Sequence, residues 1–309
     1  MTEQNPNPVV VAIGHDPMDA ALTYAAGEAS RAGCGVHLVH VVHPVVQGPD
    51  SALMDSVDVE STGRLVIELA AERVRDLVSG AVPVTVELTR GAVVSTIVAA
   101  GATARLIVLQ RRPLSRVMRV VTRSVSSGVA AHSRVPVVSV PDKWSPSHAS
   151  GDVPLVTVGI DVPDRSEHIL RMAAQAARSR GGCLRVLHAW GSPGGYDDMF
   201  VSSTEDAEWS SRARSEIQEV LDGMEDIADI PVTIEVDHAR PGDALLEAGR
   251  TSELLVVGRH DPLVPIGSHL GPVARAVIGD ATCPVLLADP HAARRWTSRR
   301  DRAETTQPV

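Results

Sequence analysis

VVVAIGHDP occupies Val9–Pro17, and PLVTVGIDVP occupies Pro154–Pro163. Each is an aliphatic, largely β-branched run that stops at a turn former and a proline, the pattern of a buried strand ending in a tight corner. An alanine-rich segment follows each. In the second, Ile169, Ala173 and Ala176 fall on one face of a helix. VHLVHVV (Val36–Val42) and LRVLHAW (Leu184–Trp190) come next, both strand-like and both carrying a histidine before the strand end. His40 and His188 stand 148 residues apart. RLIVLQ (Arg105–Gln110) is echoed by ELLVVG (Glu253–Gly258), and VPVVSVP (Val135–Pro141) by CPVLLADP (Cys283–Pro290). Pro136 and Pro284 are again 148 apart. A constant offset along the whole series is the mark of a duplicated domain.

Each copy alternates strands with helices, and strands such as LIVL and LLVV are apolar on both sides, as a covered parallel sheet requires. Right-handed crossovers then give two tandem doubly wound α/β domains, each a five-stranded parallel sheet, with any small ligand at the carboxyl ends of the strands. The second long helix of each copy carries an apolar stripe: Val66, Ala70, Arg73, Val74 and Leu77 in the first, Trp209, Ala213, Val220 and Met224 in the second. The first domain is expected over residues 1–143 and the second over 153–290, with 291–309 a flexible basic tail. Between the domains, PDKWSPSHASGD (Pro141–Asp152) reads as a linker.

Composition narrows the function. The chain has 309 residues and a net charge of −9, which weighs against nucleic acid or an acidic membrane as partner. No apolar run is long enough for a membrane span, and the polar start MTEQNPNP does not read as a secretory signal. Three cysteines without paired spacing suggest neither a disulfide framework nor a zinc site, so a reducing cytoplasm is the expected setting. Nearly all the basic charge is arginine, Lys143 being the sole lysine.

The stretch VVGRHDPLVPIGSHLGP (Val256–Pro272) carries the functional question, because a strand that breaks at glycine and resumes as a helix is a common anion corner. These residues, with the repeated order of strand ends and the closing C-P-V, resemble the universal stress protein family in its tandem two-domain form, from Val9 to Asp289. The resemblance implies an adenine nucleotide alpha hydrolase-like fold. It also implies that the last strands of the two copies pair, Val137–Val140 with Val285–Leu287, as an internal pseudo-dimer. Nucleotide-binding members carry a loop G-x2-G-x9-G-[S/T] after the fourth strand. Its glycines let backbone approach ribose and phosphate, and its last pair opens a helix toward the phosphates.

In the second copy Gly258, Asp261, Gly271 and Pro272 take the four places, with Gly271 twelve residues before Cys283 as the family pattern asks. Asp261 adds a negative charge, and Pro272 removes an N–H and a hydroxyl, though proline suits a first helical turn. Gly267-Ser268 is a rival corner that needs a shortened loop. In the first copy Gln110, Pro113, Arg123 and Ser124 stand instead, with no glycine, and Arg111, Arg112, Arg116 and Arg119 crowd around them. The family's Asp after the first strand is kept as Asp161, whereas Gly14 stands at that place in the first copy. The resemblance therefore assigns a nucleotide to the second copy only, on Ile160, Asp161, Ala189, Val257, Gly258, His260, Asp261, Gly271, Pro272 and Val273.

Catalytic chemistry is not written in the chain. It has no P-loop and no G-x-S-x-G elbow, and Gly14–Met18 does not match the S-G-G-x-D-S of ATP pyrophosphatases. His37, His40 and His43 cannot converge on a metal, because the middle residue of three spaced along one strand in this way points to the other face. A strand-end or surface role fits them better. No catalytic and no metal residue is expected. The expected function is a non-catalytic stress-response regulator or scaffold that binds ATP or another adenine nucleotide weakly or atypically, acts on a protein partner and has the capacity to homodimerise. The alternatives are an interaction module whose loops are relics, or a slow ATP hydrolase.

Overall fold

The computed structural model describes residues 5–42, 56–111, 125–146, 153–191, 203–259 and 270–288. The chain divides into two compact units, Met1–His148 and Ala149–Val309.

In the first unit the strands are β1 (Asn5–Ile13), β2 (Cys34–Val42), β3 (Val84–Arg90), β4 (Leu106–Arg111) and β5 (Val137–Pro141). They lie in the order β3-β2-β1-β4-β5, and every pair within the unit is parallel. Helices α1 (Asp19–Ala32), α2 (Ser56–Val78), α3 (Val93–Ala100) and α4 (Val125–His132) intervene. Val9, Val10 and Val11 of β1 are fully buried, as are Ile107 and Val108 of β4 beside them. Such two-sided burial is why these strands read as unbroken apolar runs.

The second unit repeats this plan. Its strands are β6 (Leu155–Ile160), β7 (Cys183–Trp190), β8 (Val232–His238), β9 (Leu254–Gly258) and β10 (Val285–Ala288). The order is β10-β9-β6-β7-β8, all parallel. Its helices are α5 (Glu167–Arg180), α6 (Ser203–Asp222), α7 (Pro241–Ala248) and α8 (Pro272–Asp280). The chain winds outward from the first strand of each unit, then returns to that strand's other side. The reversal falls between β1 and β4, and between β6 and β9, the switch point at which such sheets hold ligands.

Ile169 and Ala173 face the core from α5 as their spacing implies, joined by Leu170, Ala174 and Ala177. The stripe on the long second helices is shifted from the expected one. On α2 the buried residues are Ile67, Ala70, Ala71, Val74 and Val78, while Arg73 reaches out to Asp19 at 3.1 Å. On α6 they are Ile217 and Leu221, with Met224 just past its end, and Trp209 is 59% exposed. Trp209 is therefore not a core residue. A tryptophan one turn into an amphipathic helix satisfies the periodicity, yet the core has already ended beneath it. Trp144, inside the segment read as linker, packs edge-on against Tyr24 at 5.5 Å.

Candidate functional site

Three neighbouring strands of the second unit end side by side. Their register pairs Gly159 with Val257 across β6 and β9, and Ile160 with His188 across β6 and β7. Ile160 and Val257 are buried, Ala189 is half-buried, and Asp161 and Gly258 are exposed at the rim. The side chain of His188 turns back to hydrogen-bond the Ile160 carbonyl at 3.2 Å, tying the ends of β6 and β7 together. Asp161 and Gly258 thus flank the switch point of the sheet.

Because β9 and β10 are parallel, the helix between them must begin at the carboxyl end of the sheet. That helix is α8. Its N-cap, Gly271, is extended (φ −68°, ψ 167°), and Pro272 is the first helical residue. Proline costs the helix no internal bond there, since the first N–H groups are unpaired in any case. It does remove one of the donors that could face an anion. Val273 is half-buried behind it. His260 and Asp261, together with the rival corner Gly267-Ser268, lie outside the described residues.

The corresponding corner of the first unit is filled. Gln110, the counterpart of Gly258, directs its carboxamide across the switch point. Nε2 donates to the Pro17 carbonyl at 2.7 Å, and Oε1 accepts the Ala21 N–H at 3.2 Å, in the first turn of α1. The Met18 sulfur accepts the Gly14 N–H at 3.0 Å and tightens the same turn. Two backbone groups that could have met a ligand are therefore taken by one side chain. At Gly258 the corresponding space is empty of side chain. A Cβ built there would meet only the Ile169 Cδ1, at an ordinary 3.6 Å. Sequence reasoning marked Gln110 as a lost glycine, but its bonds across the cleft connect residues about 90 apart in sequence and leave no local signal.

Two further features frame the second unit's rim. Burial, helped by the neighbouring Glu235 and opposed by Arg185, holds the Asp237 carboxyl above the usual carboxylate range, and its backbone pairs with Ala189. Arg259, immediately after Gly258, is buried. Serines 126 and 127 share α4 with His132, whose Nδ1 lies 2.8 Å from the Gly128 carbonyl within the same helix. Among the described residues, no group of three or more His, Cys, Asp or Glu could hold a metal ion. No helix among them is long and apolar enough to cross a membrane.

Two copies of a parallel α/β sheet, each reversing beside its first strand, define a tandem protein of the nucleotide-binding type of fold. The model of the universal stress protein family matches residues 6–141 and again 155–289, and the chain belongs to that family. A universal stress protein of Mycolicibacterium smegmatis is 32% identical over 279 residues, which cover 88% of this chain and 93% of the relative. One of Mycobacterium tuberculosis is 28% identical over 308 residues, covering 91% and 94%. Among solved structures, a universal stress protein of Archaeoglobus fulgidus superposes with a TM-score of 0.64 at 18% identity, over 91% of this chain and 96% of its own. A protein from Pseudomonas aeruginosa described as a putative universal stress protein gives 0.61 at 16%, over 96% and 99%. At those identities the likeness is one of fold.

Proposed function

We propose that this chain is a non-catalytic regulator or scaffold whose second unit binds an adenine nucleotide, while its first unit is closed to one. The observation that carries this reading is the contrast between Gln110 and Gly258. One switch point is bridged by a carboxamide, and the other keeps bare backbone between Asp161 and the start of α5. Affinity is modest, because Pro272 gives no N–H where family loops offer one and Asp261 adds a negative charge near the phosphates. The regulatory output is a change in the second unit that a protein partner reads.

Calorimetry of the full chain with ATP and with AMP, each with and without Mg²⁺, tests the proposal. Gly258→Gln copies the first unit's own closure at a backbone position with room for a Cβ. Wild type takes up nucleotide, and Gly258→Gln binds at least about tenfold more weakly, about 1.4 kcal/mol. If saturating nucleotide gives neither heat nor a rise in Tm, the second unit is a relic as well, and the chain is an interaction module alone. Phosphate release above a blank would instead mark a slow hydrolase.

A further inference from the structure

The chain has only seven aromatic residues, four of them tryptophan, and two of those meet at one place in the second unit. Trp190, the last residue of β7, stacks on His238 of β8 with ring centres 4.1 Å apart and planes 7° from parallel. On α6, Trp209 stands 6.3 Å from Trp190 and is tilted by 34°. The Arg212 guanidinium lies 5.5 Å from the Trp209 ring centre. The order is a closed stack of His238 and Trp190, a gap, then Trp209 backed by Arg212.

Spacing decides what that gap can hold. Carbon surfaces in contact lie about 3.5 Å apart, so a flat ring between two others needs about 7 Å. A separation of 6.3 Å with one ring tilted is wider than a stack and just short of that requirement. Trp209, 59% exposed, can swing the remaining distance without disturbing the core. The Trp190 Nε1–H is buried and has no hydrogen-bond partner among the described residues, so a ring acceptor at its edge would relieve an unsatisfied donor.

The first unit shows the same stretch closed. Gly63, the counterpart of Ser211, lies so close over His40 that a Cβ there would come within 3.0 Å of the ring. On α6, the residues around Trp209 (Ala207, Glu208, Ser211 and Arg212) border an open recess of about 500 Å³.

We infer that Trp190 and Trp209 form a slot for the purine base of the nucleotide, and that Arg212 closes its outer side. This rests on reading the second unit's switch point as a nucleotide site. Gly258 is two strand spacings from β7, about 10 Å, which suits a phosphate at one end of the ligand and a base at the other. Stacking of this kind accepts any flat base and owes little to hydrogen bonds.

The test uses the full chain with AMP and with ribose 5-phosphate, which has the phosphate but no base, in wild type, Trp209→Ala, Trp209→Phe and Gly258→Gln. AMP should quench tryptophan fluorescence. Trp209→Ala should weaken AMP binding about ten- to hundredfold, and Trp209→Phe should keep most of it. Ribose 5-phosphate should bind wild type and Trp209→Ala alike. If AMP binds Trp209→Ala as it binds wild type, yet is lost on Gly258→Gln, the slot is overturned and the nucleotide site stands. If AMP binds none of the four, both fall.

Discussion

His40 and His188 occupy equivalent places and make the same bond, each Nδ1 to the carbonyl of the residue that ends the neighbouring strand, at 2.9 and 3.2 Å. Their surroundings differ. His40 is 2% exposed and lies under Gly63 of α2, with Leu88 alongside and the His15 ring edge-on at 4.9 Å. The sequence marked its strand-end position, but not its burial, which depends on a glycine 23 residues further along the chain. Burial pushes its pKa below the ordinary histidine value, the Ile13 carbonyl pulls it partly back, and His15 adds a smaller lowering. Nε2 has no hydrogen-bond partner among the described residues, so protonation would place a second N–H against Gly63. The unfolded chain then binds the proton more readily than the folded one, and folding stability rises with pH. The contribution is complete above the unfolded value of about 6.5 and is lost as pH falls from there toward the lowered folded value. His40→Asn keeps a donor for the Ile13 carbonyl and cannot titrate. Wild type should therefore lose Tm faster than His40→Asn between pH 7 and pH 5, and parallel curves would show that His40 plays no part.

The elements were legible wherever one local rule decided them. Glycine follows both alanine-rich helices, and both glycines are left-handed: Gly33 at φ 61° after α1 and Gly181 at φ 62° after α5. The Gly181 N–H bonds the Arg178 carbonyl at 3.0 Å, and the Gly182 N–H bonds the Ala177 carbonyl at 2.9 Å, closing the last turn before β7. Nothing lies within 4 Å of where a Gly181 Cβ would be, so the cost of an alanine there is backbone strain alone. Gly181→Ala should lose about 1 kcal/mol, seen as a lower urea midpoint at unchanged slope. The exposed α5 position Gln175→Ala is the matched control, expected to change little. The long second helices were harder, because an apolar period survives where nothing packs on it. Trp209 fits the stripe of α6 and still lies in solvent, and Arg73 fits that of α2 and pairs with Asp19. Only the depth of the sheet beneath a helix decides which turns are core.

Across the whole chain, duplication was the most legible feature, because buried strands keep their aliphatic runs while other positions diverge. Even side-chain pairs recur at the offset of 148. His37 meets Glu87 at 3.1 Å in the first unit, and Arg185 meets Glu235 at 3.2 Å in the second. The site was legible in part. Spacing located the corner at Gly258 and Gly271, but not the bridge built by Gln110 or the ring stack beyond Ala189, since both are tertiary contacts between distant segments. Equal folds with unequal corners imply a fixed stoichiometry of one nucleotide per chain, which native mass measurement can count. Gln110→Gly removes the bridge, but Pro113, Arg123 and Ser124 still stand where a binding loop needs glycine and a helix opening. One nucleotide per chain should therefore persist in Gln110→Gly. The same variant should lower the Tm, because the Pro17 carbonyl and the Ala21 N–H lose their shared partner. A second bound nucleotide in that variant would mean that the carboxamide alone had kept the first unit empty, and that the missing glycines mattered little.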